Sequence, residues 1–249
     1  MRIDATIQAR MGSSRLPGKV LARVVGKPLL ELQVERIRRS WLIDRVIIAT
    51  TDLAADDAIE ELADDIGVLC FRGSVDDVLG RVTSALRTFD VDLHVEFQGD
   101  SPLPDSFLID AMIGCYLKHA GDVDYVTNAL KTTFPPGQEV SVYRAATLFE
   151  AEKLVDDDSL REHVGIHIYQ RPDRFRLHNV EAPAGLRAPD LYLEVDTAAD
   201  LDVIRRIYEH FYPRDPEFGL RDILEFAVES GLGELNRNEP RRWKKYRQD

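Results

Sequence analysis

Apolar runs and amphipathic stretches take turns along roughly the first 120 residues, and this order constrains the fold more than any other feature of the chain. Residues 3–7 read as a short buried strand. Leu30, Val34, Ile37 and Trp41 then recur at spacings of four, three and four, which keeps one face of a helix apolar. Residues 45–50 form a second strand pattern ending at Thr51 and Asp52, and Ile59, Leu62, Ala63 and Ile66 mark a second helix. A brief strand at 68–71 precedes a helix carrying Val78, Val82, Ala85 and Phe89. Val91, Leu93, Val95 and Phe97 alternate strictly, so this strand has two unlike faces before it runs into Gln98-Gly99-Asp100-Ser101-Pro102. A helix with Leu108, Met112 and Cys115 follows. Strand and helix in turn predict an α/β fold, a mostly parallel sheet with helices on both faces.

The second half is less regular. Residues 124–128 and 139–144 read as strands around a loop holding Phe134, Pro135, Pro136 and Gly137. A helix over 159–169 and strands over 174–180 and 191–195 come next. Leu201, Ile204, Tyr208 and Phe211 define a long amphipathic helix, and 220–230 a final one. The pattern suits one domain over 1–249, with a substrate-specific excursion at about 129–190 and a helical tail at 213–249.

Charge sharpens the picture. The formal net charge is −12, which argues against a general nucleic-acid binder, since that needs a basic face to displace counterions. No run approaches the roughly 18 apolar residues that span a bilayer, and the N-terminal MRIDATIQAR lacks a signal-peptide core. Cys70 and Cys115 have no paired spacing, which fits small core residues in a reduced, cytoplasmic protein. Against the acidic background, residues 8–19 carry Arg10, Arg15 and Lys19 and no acid. A second basic run, 237–247, reads more simply as a solvated or partner-docking end.

In open α/β sheets ligands bind at the carboxyl ends of strands. The first such loop runs Gln8-Ala9-Arg10-Met11-Gly12-Ser13-Ser14-Arg15-Leu16-Pro17-Gly18-Lys19. Its spacing is neither GxxxxGK[ST] nor GxGxxG. Gly12, Ser13 and Ser14 nonetheless let backbone amides approach an anion, and the three cations supply charge for phosphates. Asp100 follows a strand end and a glycine, and a carboxylate there could take Mg²⁺ together with phosphate oxygens. Asp196, in Leu193-Glu194-Val195-Asp196-Thr197, stands at another expected strand end, although Thr197 to Asp200 also reads as a capping box. Two aspartates at two strand ends favour a joint metal site. His163 and His167 stand four apart without an evident third ligand, so His163 is read as a substrate contact and His167 as structural. Asp122-Val123-Asp124 matches the DxD of glycosyltransferases but precedes a strand rather than ending one.

The segments IQARMGSSRLPGKVL, QGDSPL and LEVDTAADL resemble, in order and position, the three signatures of the cytidylyltransferase family, in particular the branch of spore-coat polysaccharide proteins. The likeness covers about residues 3–212. It implies a Rossmann-like three-layer αβα fold of the nucleotide-diphospho-sugar transferase type. By the same resemblance Gln8, Ala9, Arg10, Gly12, Ser13, Arg15, Lys19, Thr51, Asp52, Arg81 and Gln98 would contact the nucleotide. Asp100 and Asp196 would hold Mg²⁺, and Glu139, Arg161 and His163 would face the acceptor. The octulosonate enzymes carry an acid where this chain has Ser101, and Gly73-Ser74-Val75-Asp76-Asp77 replaces their ring-binding serine-glycine segment, so that sugar is not implied.

Together these features predict CMP transfer from CTP to a sugar or sugar-acid acceptor, with Arg10, Lys19, Asp100 and Asp196 carrying the chemistry. A homodimer is expected from the apolar helices and the 134–136 loop. Two alternatives stay open: a nucleotide-sugar-dependent glycosyltransferase using the DxD, and a nucleotide-binding regulator without turnover.

Overall fold

Strand β1 (Ile3–Gln8) sets the frame of the molecule. Ile3, Ala5 and Ile7 enter the larger apolar cluster, and alternation turns Asp4, Thr6 and Gln8 to the other face of the sheet. The computed structural model describes residues 1–155 and 158–241. After the 8–19 loop come a small hairpin, β2 (Arg23–Val24) and β3 (Lys27–Pro28), and then α1 (Leu29–Ile37). β4 (Arg45–Thr51), α2 (Asp57–Asp65), β5 (Leu69–Gly73), α3 (Val78–Thr88), β6 (Leu93–Gln98) and α4 (Ser106–Lys118) continue the alternation. The remainder is β7 (Tyr125–Thr127), β8 (Ser141–Arg144), α5 (Ala145–Lys153), α6 (Ile166–Tyr169), β9 (Leu177–Asn179), α7 (Ala198–Phe211) and α8 (Leu220–Ser230).

The main sheet has 7 strands in the order β5-β4-β1-β6-β8-β7-β9. Only β8 runs against its neighbours β6 and β7; the other pairings are parallel. Connections leave β1 first toward β4 and later return to β6 on its other side, so a crevice opens at the carboxyl end of β1. One apolar cluster joins α1, α4 and α7 to the sheet, and a second joins α3, α5 and α6 to its opposite face. This is the expected mostly parallel, three-layer arrangement.

Four expectations are corrected. Trp41 is 90% exposed rather than on the buried face of the first helix. α1 stops at Ile37 because the chain turns at Ser40, whose hydroxyl accepts from the amides of Leu42 and Ile43. The predicted helix at 159–169 is broken into a 3-10 turn (Asp158–Glu162) and α6, with Gly165 between them. A Cβ on Gly165 would stand 2.8 Å from the Tyr125 hydroxyl, so the break is packed tightly against β7. Residues 191–195 are extended but are not a strand of the sheet; the amides of Leu193 and Val195 donate to the carbonyls of Pro136 and Asp100 at 2.7 and 2.8 Å. Finally, Phe134, Pro135 and Pro136 are buried within the chain, which removes the loop as a surface for a dimer.

Candidate active site

The loop after β1 and the two aspartates meet around one ammonium group. Lys19, 9% exposed, places Nζ 3.2 Å from Asp100 Oδ2 and 3.0 Å from Asp196 Oδ1, and it donates to the Val195 carbonyl at 2.6 Å. Arg15 closes on the second oxygen of Asp196. Burial pulls the Lys19 ammonium toward a lower pKa, but the charges of Asp100 and Asp196 outweigh it and hold the value above the ordinary one. Burial likewise pushes Asp196 up, and Lys19 with Arg15 overcomes it, leaving the carboxyl below its usual range. Asp196 is therefore a carboxylate, although no strand delivers it. The bond from Val195 N to Asp100 O brings it beside Asp100, and Thr197 and Asp200 form the capping box of α7 just beyond. Capping and siting coexist.

The glycine of QGD has a steric reason. Gly99 N donates to Gln8 O at 2.9 Å, and a Cβ on Gly99 would stand 2.8 Å from that oxygen. Only a bare backbone lets the ends of β6 and β1 come this close and set Asp100 opposite the loop. The loop itself is pinned by Asp56, a buried residue that sequence reasoning missed. Its Oδ1 accepts from Met11 N at 2.6 Å and its Oδ2 from the Thr51 hydroxyl. Nothing distinguishes Asp56 within the acidic run around it, so no pattern could have found it. Ala9 extends the β1 pairing through Ala49 O, Gly12 is exposed, and Ser13 Oγ accepts from Leu16 N.

Further along the crevice, Arg81 is buried at 3% exposure and donates through Nη1 to Ser74 O, while its Nε has no partner. Burial first, then the like charge of Arg10, lowers its pKa. Arg10 reaches Glu162 at 3.5 Å, and Arg161 pairs with Asp77 at 2.7 Å, so the 158–162 turn is clasped to the loop after β1 and to the start of α3. Asp77 also caps α3 through Gly80 N at 2.7 Å. Asp52 lies exposed at the end of β4, its amide bonded to Gly73 O.

Gln8 and Gln98 stand side by side in register on β1 and β6, and both side-chain amides donate to Glu96 Oε1, at 3.1 and 3.3 Å. Tyr143 donates to its other oxygen at 2.6 Å. Burial raises the Glu96 pKa, and the donors from Tyr143 and Gln8 oppose that rise. Glu96 was also missed. Its signal was the strict alternation of β6, which sets His94, Glu96 and Gln98 together on the face opposite Val95 and Phe97. Glu139 accepts from Gly137 N at 2.7 Å and borders a small hollow with Asn128, Phe134 and Gln138. His163 is half-buried behind the 158–162 turn. Thus the structure brings the loop, Thr51, Asp100 and Asp196 together, with Arg81 and Arg161 along the same crevice.

His167 Nε2 donates to Leu160 O at 3.0 Å, and burial lowers the pKa of the ring, which fits a structural histidine. Among the described residues no group of three or more His, Cys, Asp or Glu side chains could enclose a metal. Asp100 and Asp196 instead place two carboxylates on the one Lys19 ammonium. Asp124 of the DxD sits before β7, at the sheet edge away from Asp100, and pairs with Arg176 through both oxygens at 2.9 Å. That position gives the glycosyltransferase alternative no support.

The fold and crevice are those of a nucleotidyltransferase. Residues 5–215 match the family model described as cytidylyltransferase, and the chain belongs to that family. It is similar to the spore coat polysaccharide biosynthesis protein SpsF of Bacillus subtilis, 35% identical over 237 residues that cover 93% of each chain. The 3-deoxy-manno-octulosonate cytidylyltransferase of Trichlorobacter lovleyi is 38% identical over 196 residues, covering 69% of this chain and 76% of that one. A solved cytidylyltransferase from Leptospira borgpetersenii superposes with a TM-score of 0.89 at 28% identity, over 97% of this chain and 99% of the other. The chain is a CTP-dependent nucleotidyltransferase. No helix among the described residues is long and apolar enough to cross a membrane.

Proposed function

We propose that this enzyme transfers CMP from CTP to a sugar or sugar-acid acceptor for the assembly of a cell-surface polysaccharide. The observation that carries the site is the convergence of Asp100 and Asp196 on Lys19 at 3.2 and 3.0 Å, with Arg15 on Asp196, at the mouth of the β1 crevice. An acceptor oxygen attacks the α-phosphorus, the new O–P bond forms, and the bond to the β-phosphate breaks with release of pyrophosphate. Arg10, Arg15 and Lys19 stabilise the charge that develops on the leaving group. The amides around Gly12 and Ser13 approach the phosphates, and Arg81, with its unpartnered Nε, faces the same anion. Asp100 and Asp196 would hold Mg²⁺, which when bound neutralises phosphate charge. Thr51, Asp52, Gln8, Ala9 and Gln98 line the nucleotide side, and Glu139, Arg161 and His163 the acceptor side. Alignment of the two substrates supplies much of the remaining acceleration.

The names of the relatives support a sugar-acid acceptor and a polysaccharide pathway. A cytoplasmic location and a homodimer complete the proposal; the sedimentation coefficient tests the latter. Pyrophosphate release, measured for four nucleoside triphosphates against a panel of acidic and amino sugars, tests the reaction. Acceptor-dependent release with CTP alone is expected. Release with UTP at the same rate, or none with any sugar despite tight CTP binding, would overturn the proposal, and the second result would favour a regulator.

A further inference from the structure

The family match ends at residue 215, yet the chain comes back to the triphosphate loop beyond it. α8 stops at Gly231, whose φ of 66° is the left-handed conformation that ends a helix. A 3-10 turn (Leu232–Glu234) then leads to Asn236, Pro240 and Arg241. The Pro240 carbonyl accepts from Arg15 Nη1 at 3.0 Å. Since Arg15 Nη2 lies on Asp196, the tail and the site carboxylate share one guanidinium.

Arg241 makes the second connection. Its Nη1 is 2.9 Å from Asp200 Oδ1, in an ion pair whose side chains are 2% and 0% exposed, and its guanidinium lies 4.1 Å from the centre of the Tyr192 ring. Asn236 Nδ2 donates to the same Asp200 oxygen at 2.8 Å and to Tyr192 O at 3.1 Å. The other Asp200 oxygen accepts from the amides of Asp196 and Thr197, at 3.0 and 2.9 Å. One buried carboxylate therefore grips the tail with one oxygen and the backbone that aims Asp196 with the other. A tail that only covered apolar surface could do so with apolar residues, which avoids the desolvation of a buried ion pair.

We infer that Asn236, Pro240 and Arg241 are positioning residues of the nucleotidyl-transfer site, holding Arg15 where it meets the β- and γ-phosphates and Asp196 where it would hold Mg²⁺. This rests on the proposed assignment of Arg15 to the triphosphate and of Asp196 to Mg²⁺. The test compares calorimetric affinities for CTP and CMP, each with Mg²⁺ and without acceptor, in the full chain and in Arg241→Ala and Arg241→Lys. CMP lacks the two phosphates in question, so a positioning role lowers CTP affinity selectively. Arg241→Ala should weaken CTP by about 10- to 100-fold, the usual loss when a supporting contact of a charged site is removed, and should leave CMP nearly unchanged. Arg241→Lys keeps the charge on Asp200 but loses the fork, and should fall between the two. Where Arg241→Ala does not fold, because Asp200 is left buried without a cation, the lysine variant decides. Equal losses for CTP and CMP, or no loss for either, would overturn the inference while leaving the site assignment standing. A wild-type protein with no preference for CTP over CMP would overturn both.

Discussion

Asp100 is the residue on which the chemistry turns most sharply. Its side chain is 35% exposed, so replacing it removes a charge from the crevice without opening the core. Asp100→Asn should retain the wild-type thermal midpoint and lose acceptor-dependent pyrophosphate release by at least about 100-fold. Near-normal turnover in that variant would remove Asp100 from the metal and phosphate machinery. The same scale shows what sequence can and cannot reveal. Arg10, Arg15 and Lys19 stood out as cations in an acidic chain, and Asp100 and Asp196 as acids beside breaks in apolar pattern. Asp56 and Arg241 carry comparable structural weight but gave no such signal. Their partners, Met11 N and Asp200, are 45 and 41 residues away, and a contact of that range has no period along the chain.

At the scale of elements, β6 combines two jobs that its alternation made visible. Val95 and Phe97 fill the core, while His94, Glu96 and Gln98 build a polar row on the other face beside β1. His94 is wholly buried and touches Thr6 Oγ1 at 2.7 Å. Burial pulls its pKa from 6.5 down to about 3. A value depressed in the folded state means that the full stabilisation is present above 6.5 and is lost as pH falls toward 3. The loss is on the order of 5 kcal/mol. Urea melts over this range should show a steep acid limb in the wild type and a shallower one in His94→Gln. Parallel limbs would show that other groups govern the acid response. Boundaries were less legible than elements. α5 went unannounced because only Leu148 and Ala151 mark its buried face beyond the first residue. The extended 191–195 segment read as a strand because Leu191, Leu193 and Val195 alternate, yet its partners are loop carbonyls rather than a neighbouring strand.

Across the whole molecule, the C-terminal third is fastened to the sheet domain by a few polar contacts as well as by apolar packing. Asp105 caps two helices at once, accepting from Leu108 N of α4 at 2.9 Å and from Leu220 N of α8 at 2.7 Å. Arg36 of α1, also buried, donates to the carbonyls of Pro104 and Phe218 and stacks on the Phe218 ring. Asp105→Ala should therefore lose two caps in one step. A destabilisation of about 2 kcal/mol or more is expected from typical capping energies. That corresponds to a thermal midpoint lower by about 4–8 °C in a chain of this size. A loss below about 0.5 kcal/mol would mean that α8 is held by its apolar face alone. The layered α/β plan was legible from the order of elements. How the tail folds back across it was not, because the basic run at 237–247 offers charge without pattern, and only its part through 241 lies within the described residues.

Lys19 is, in effect, a counter-ion that the chain carries on a covalent tether. With Arg15 on Asp196, it neutralises the two carboxylates it joins before any solute enters, so the resting crevice has no need of a borrowed cation to keep its shape. Occupancy by a metal–nucleotide complex then becomes an exchange of partners rather than the filling of a charged void. Two measurements separate these pictures. Exhaustive treatment with a chelator should leave the thermal midpoint of the free protein where it was. The rise in midpoint produced by CTP, a linkage effect of binding to the folded state, should shrink or vanish under the same treatment and return with added magnesium. A midpoint that falls on chelation alone would mean that the ion belongs to the architecture and not to the cargo.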